Sequence, residues 1–214
     1  MHRFRFHSLV AILAVALTVA ACDKKGDTPS DGKTDTTAGK NDESSTTSAE
    51  MGEKISSDTG RFVVQFPSGF PAPTQQTQQV PTKIGTLAMI TYLTEPQEAA
   101  CMVAYSDYPE AAFEGADVNA LLDSARNGAL NNVNGTMDSE EKITLDGNPG
   151  RSIVFTGSSQ GRTIHGRFDY YLVRPRLYQV GYMAMSKEKL GEPGTVAYFK
   201  SFALSAAKEG GDAK

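Results

Sequence analysis

Gly157-Ser158-Ser159-Gln160-Gly161 matches the Gly-x-Ser-x-Gly pattern that presents a nucleophilic serine, and His165 lies close behind it. For that chemistry the serine must stand on a strand-to-helix turn, with a histidine as base and a carboxylate to orient it. The segment after the motif is not helical. Arg162 to Val173 alternates with a period of two, which predicts a strand and puts the motif on a hairpin tip. His165 shares the polar side of that strand with Arg167, Asp169 and Tyr171, and at about 3.3 Å per residue Asp169 lies about 13 Å away from it. No hydrogen bond spans that gap, so the spacing argues against a triad. Cys101 sits among Ala99, Ala100, Met102 and Val103 with no basic neighbour to lower its pKa, and is expected to behave as a small buried hydrophobe. Glu140 and Glu141 are adjacent on an expected strand, so they point to opposite faces and read as solvated charge. His2, His7 and His165 are the only histidines, and no paired ligand spacing suggests a metal or a cofactor. Gly26 to Thr34 approaches a phosphate loop, but its spacing is one residue too long and no strand precedes it. The expectation is a domain without catalytic residues.

Strands and helices that position these groups are visible along the chain. Phe62, Val64 and Phe66 alternate within a strand from Arg61 to Phe66, and Pro67, Pro71, Pro73 and Pro81 are expected to keep the next stretch irregular. Thr86 to Leu93 and Ala100 to Ser106 form a hairpin turning near Glu95-Pro96. Asp117 caps a helix carrying Val118, Leu121, Leu122, Ala125 and Ala129, which ends in Asn131, Asn132, Asn134 and Gly135. Further strands are expected over Glu140 to Leu145, Arg151 to Thr156, Arg162 to Val173 and Leu177 to Met185, with hairpin turns at Asp146-Gly147 and within Gly157 to Gly161. A last helix carries Val196, Phe199 and Phe202. Successive strands joined by short turns predict an α+β domain over residues 55–205, an antiparallel sheet of about six to seven strands flanked by two main helices. Tyr170 and Tyr171 should face opposite ways, and Tyr178 and Tyr182 should share a face with Val180 and Ala184.

Lys and Arg number 21 against 25 Asp and Glu, and two of the cations, Arg3 and Arg5, belong to the extreme N-terminus. An acidic chain disfavours nucleic acid and a peripheral grip on anionic lipid. The chain has two cysteines, Cys22 and Cys101, so no disulfide framework is expected.

Leu9 to Val19 is an apolar run behind Arg3 and Arg5, and Ala20, Ala21 and Cys22 come directly after it. From Leu9 to Ala21 a helix covers about 20 Å, too short for a hydrocarbon core of about 30 Å. Val19-Ala20-Ala21-Cys22 resembles the lipobox of bacterial lipoproteins, which implies removal of residues 1–21 and acylation of the Cys22 thiol. Asp23 resembles the inner-membrane retention signal of enterobacterial lipoproteins, although other lineages sort differently. Two or three acyl chains, at about 0.8 kcal/mol per methylene, hold a protein to a membrane durably. From Asp23 to Lys54 the chain is almost devoid of apolar residues and is expected to be a disordered tether, with a root-mean-square span near 30 Å. Asp23, Asp27, Asp31 and Asp35 within it read as solubilising charge. Residues 206–214 form a polar tail.

Several runs together resemble the PsbP-like (Mog-type) group of envelope proteins: Phe62 to Pro67, Tyr105 to Pro109, Asp146 to Arg151, Tyr171 to Val180 and Phe199 to Phe202. Arg174-Pro175-Arg176 departs from the Gly-containing turn of that pattern. The resemblance implies an α/β/α sandwich and a binding or assembly role without catalysis, as in extrinsic photosystem proteins, a regulator of a nuclear GTPase and small bacterial lipoproteins. His165, Arg167, Tyr171, Arg174 and Arg176 make up the candidate ligand or partner patch. The expected role is that of a lipid-anchored envelope protein with a protein partner. The alternative is a periplasmic sensor of a small molecule or ion, and an enzyme centred on Cys101 or His165 is a distant third.

Overall fold

A computed structural model of the chain describes residues 51–82 and 85–205. Residues 1–50, with Cys22, and the tail 206–214 lie outside them. The strands are β1 (Met51–Ser57), β2 (Phe62–Pro67), β3 (Thr74–Thr82), β4 (Gly85–Thr94), β5 (Ala99–Asp107), β6 (Thr136–Leu145), β7 (Asn148–Ser159), β8 (Arg162–Val173), β9 (Arg176–Ala184) and β10 (Ala203–Leu204). Helix α1 covers Val118–Asn132 and α2 covers Pro193–Ser201. The class is α+β. A seven-stranded sheet runs β3-β4-β5-β9-β8-β7-β6 and a three-stranded sheet runs β1-β2-β10, and every pair in both is antiparallel. Among the described residues no helix is long and apolar enough to cross a membrane.

The short turns decide the sheet order. Asp146-Gly147 and Gln160-Gly161 both take positive φ at each residue, the geometry of two-residue hairpin loops whose twist matches that of the strands. They place β7 beside β6 and β8 beside β7. The β8–β9 turn is Arg174-Pro175, joined by a cis peptide bond.

Helix α1 lies on one face of the large sheet. The Asp117 carboxylate accepts the Asn119 N–H at 2.9 Å, an N-cap satisfying a donor that the helix leaves free. At the other end Asn134 takes φ 45°, and the Gly135 N–H donates to the Leu130 carbonyl at 2.7 Å. This is the Schellman closure, with an asparagine in the left-handed position usually given to glycine. The Val133 carbonyl then accepts the Ser158 N–H of β7 at 2.7 Å. A Cβ on Gly157 would stand 2.9 Å from that same carbonyl, so this contact requires glycine. Leu121, Leu122, Ala125 and Ala129 of α1 pack on Ile153, Phe155, Ile164, Phe168 and Leu172.

Two expectations are corrected on the rest of the sheet. The proline-flanked stretch is not irregular: β3 pairs with β4 along its whole length, and Pro81 is tolerated because β3 is an edge strand. The second face is not covered by a helix alone. The β1-β2-β10 sheet and α2 share that task, and the Met51–Lys54 end of the expected tether belongs to β1. Phe62, Val64 and Phe66 of β2 do share one buried face, against Val103, Tyr105, Tyr178 and Val180. Phe202, expected within the last helix, lies one residue beyond α2 and is buried in this cluster.

Candidate functional site

The alternation of β8 sends Ile164, Phe168, Tyr170 and Leu172 to the α1 face and Tyr171 to the other. His165, Arg167 and Asp169 are in step with Tyr171, as the sequence pattern requires. His165 is half-buried, with Nδ1 3.1 Å from the Thr156 hydroxyl. That hydroxyl donates to Asp138 Oδ2 at 3.0 Å. A hydroxyl has one proton, so Nδ1–H of His165 is the donor to Thr156.

Asp169 is buried and engaged on both oxygens. Arg167 donates to it through Nε at 2.9 Å and Nη2 at 2.8 Å, and the Ser152 hydroxyl adds a third bond at 2.6 Å. The Arg167 guanidinium also sits 4.2 Å from the centre of the Phe199 ring, which ties α2 to this pair. Tyr171 is buried and stacks on Phe202, with centroids 5.8 Å apart and planes 10° apart. Burial, and then the neighbouring Asp169 charge, push its phenol well above the ordinary value.

Arg176 has the largest set of partners. Its Nε and Nη2 donate to the two Asp107 oxygens at 2.5 and 2.7 Å, and Nη1 donates to the Thr59 carbonyl at 2.8 Å. The guanidinium also lies 4.3 Å from the Tyr105 ring centroid. These bonds clamp the β1–β2 turn to β5 and β9, and they hold the Asp107 carboxyl below its usual value. Arg174 is exposed at the β8–β9 turn and leans over Phe113, on the α1 side. The five candidate residues therefore do not share one open surface. Arg167, Tyr171 and Arg176 are engaged under the small sheet and α2, His165 lies beyond them on β8, and Arg174 faces the other way. Tyr170, Tyr171, Tyr178 and Tyr182 are all buried.

The remaining chemistry candidates are buried or paired. Ser159, the central serine of Gly157–Gly161, is the last residue of β7 and is buried, its hydroxyl without a hydrogen-bond partner among the described residues. Cys101 is fully buried, and desolvation pushes its thiol well above the ordinary value against a smaller opposing effect of a hydrogen bond with Tyr198. Glu140 is not ordinary solvated charge. It accepts two bonds from Arg126 of α1, at 2.7 and 2.9 Å, and lies 3.3 Å from Arg151 Nε. Neither this network nor the Arg176–Asp107 clamp is foreseeable from the sequence, because their partners lie on separate elements with no local spacing to signal them. Among the described residues no cluster of three or more His, Cys, Asp or Glu could hold a metal.

The described cleft lies on the α1 face, away from His165 and Arg167, and is lined by Tyr108, Phe113, Leu121, Leu122, Leu172 and Leu177. On the same face the Tyr170 hydroxyl and Gln179 Oε1 are buried without a hydrogen-bond partner among the described residues, on residues directly paired across β8 and β9.

No family model matches the chain, and no curated protein does. Among solved structures, the cyanobacterial PsbP protein CyanoP from Synechocystis sp. PCC 6803 is similar at 10% identity with a TM-score of 0.45, over 73% of this chain and 93% of its own. PA94, a protein of unknown function from Pseudomonas aeruginosa, is similar at 10% identity with a TM-score of 0.33, over 66% of this chain and 86% of its own. Both likenesses are slight.

Proposed function

We propose that this chain is an envelope lipoprotein, acylated at Cys22, whose PsbP-like α+β domain binds or helps assemble an envelope partner without catalysis. The observation that carries the non-catalytic reading is the engagement or burial of the reactive candidates: Asp169 is held by Arg167 and Ser152, His165 is bonded to Thr156, and Cys101 and Ser159 are shut away from solvent. A leash between a lipid and a folded domain raises the local concentration of that domain at the membrane without fixing its orientation, which suits a binding role.

The test has two parts. Cys22→Ser should release the chain from the membrane fraction, and mass analysis of the unsubstituted chain should find acyl groups on Cys22. An equally membrane-bound Cys22→Ser chain overturns the anchor. Crosslinking in intact cells, read by mass spectrometry, should then recover an envelope protein bound to the domain. A second reading, a small-ligand sensor, rests on the Tyr170 and Gln179 atoms that lack partners among the described residues of the α1 face, because the apolar cleft beside Leu172 and Leu177 has room for no more than a water-sized molecule. Crosslinking that recovers no protein, together with a small molecule retained by the purified chain, would favour it.

A further inference from the structure

The two edges of the large sheet are built differently. β6 carries Asp138, Glu140, Glu141 and Lys142, and its pairing with β7 shifts register between Met137 and Ser139. Charge, bulges and proline are devices that keep an edge from pairing with another chain. β3 has neither charge nor bulge, and its one proline, Pro81, lies near its end. Its nine residues include no charged side chain, it runs in unbroken register with β4 from Thr74↔Leu93 to Thr82↔Gly85, and among the described residues β4 alone pairs with it. Gln75, Thr77 and Gln79 are the residues of its outer face, with Gln75 exposed. Pro73 before the strand and Pro81 near its end restrict the open ladder to Thr74–Val80.

Within that stretch the residue order is symmetric about Thr77. Gln76 mirrors Gln78, Gln75 mirrors Gln79, and β-branched Thr74 mirrors β-branched Val80. Two antiparallel copies related by a two-fold axis at Thr77 would set Thr77 opposite itself and each of these residues opposite its mirror. A glutamine amide both donates and accepts, so glutamines facing each other are self-complementary. In a chain of net negative charge, a charged edge would repel its own copy, and this edge avoids that penalty. We infer that β3 is an isologous interface through which two copies of this chain pair edge to edge, joining their sheets into one. This pairing does not depend on acylation of Cys22.

Thr77→Cys in the full chain, oxidised in intact cells, tests the axis. Residues directly opposite in an antiparallel pair have Cα atoms about 4.5–5.5 Å apart, within disulfide reach. A bond between the two introduced thiols, located by peptide mapping, is expected, and Glu141→Cys on β6 should give none. Absence of that bond in a folded chain, or a bond at this position to a different protein, overturns the inference. A bond through Cys22 maps to another peptide, so failure of acylation is read separately. The register is tested by sedimentation of the purified chain. Gln75→Lys with Gln79→Lys sets like charges opposite each other and should weaken the dimer about tenfold or more, whereas Gln75→Lys with Gln79→Glu sets opposite charges there and should not. Equal weakening by both pairs, with folding unchanged by circular dichroism, overturns the proposed register.

Discussion

On the α1 face of the large sheet the buried groups are largely aliphatic, and three buried polar atoms there, the Ser159 and Tyr170 hydroxyls and Gln179 Oε1, have no hydrogen-bond partner among the described residues. On the opposite face the cover is rich in aromatic rings whose polar ends are bonded. Tyr178 donates to the Gly60 carbonyl at 2.7 Å, Tyr198 to the Met102 carbonyl at 2.6 Å, and Tyr92 meets Ser57 at 2.9 Å. Phe62 touches Tyr92, Tyr105, Tyr178 and Phe202 edge-on or tilted. The helix is held chiefly by packing, with an ionic rim at Arg126, Glu140 and Arg151. The small sheet is held by directional bonds that fix where it sits. α1 has one such anchor of its own, the Ser158 N–H on the Val133 carbonyl, whereas the small sheet and α2 have several.

Deleting the largest contacts should separate the two faces most clearly. Phe62→Ala is expected to cost about 3–5 kcal/mol and Leu122→Ala about 2–5 kcal/mol by chemical denaturation. A cheaper Phe62 substitution would break the ranking. Next come the hydroxyls. Tyr178→Phe leaves the buried Gly60 carbonyl without its donor and should cost about 1–3 kcal/mol, while Tyr170→Phe removes a hydroxyl with nothing to bond and should leave stability unchanged or raised. Equal losses in the two variants would show that the bonded and unbonded tyrosines are energetically alike.

The smallest effect concerns pH. Arg176 lowers the Asp107 carboxyl in the folded state, so the pair stabilises the fold above the unfolded value of about 3.9. That contribution fades as pH falls through the lower folded value. The stability difference between the unsubstituted chain and Asp107→Asn should be constant near neutrality and shrink below about pH 4. It should be slight, because the Asp107 side chain is 53% exposed. Urea titrations across that range would expose a difference that does not shrink, which would contradict the assigned pairing.

The legible parts of the sequence are those written in neighbouring residues. Phe62, Val64 and Phe66 announce β2, Asp117 announces the start of α1, and Asp146-Gly147 a hairpin. β1 escapes such reading because Met51 and Ile55 are its only large apolar residues, too few to show a period. β3 escapes it because Pro73 before it, Pro81 within it and its glutamines argue against a buried strand, and it is an edge. β10, with two residues, has no periodicity to read. The polar clamps are illegible for another reason: Arg176 and Asp107 are 69 residues apart, and no local rule relates them. The same holds for the candidate patch, whose members are close in sequence and dispersed by burial.

Because β2 lies between β1 and β10, its two neighbours come from opposite ends of the folded domain. A growing polypeptide can complete the large sheet before β10 has been made, but not the small one. Closure of that layer waits for Phe202 to settle near Phe62 and Tyr171, a pairing of high contact order and therefore slow. Truncation just before Phe202 would leave the large sheet formed with its aromatic interior open to solvent. The topology thus makes the docking of Phe202 and β10 the step that seals the domain, with proteolytic sensitivity where it fails.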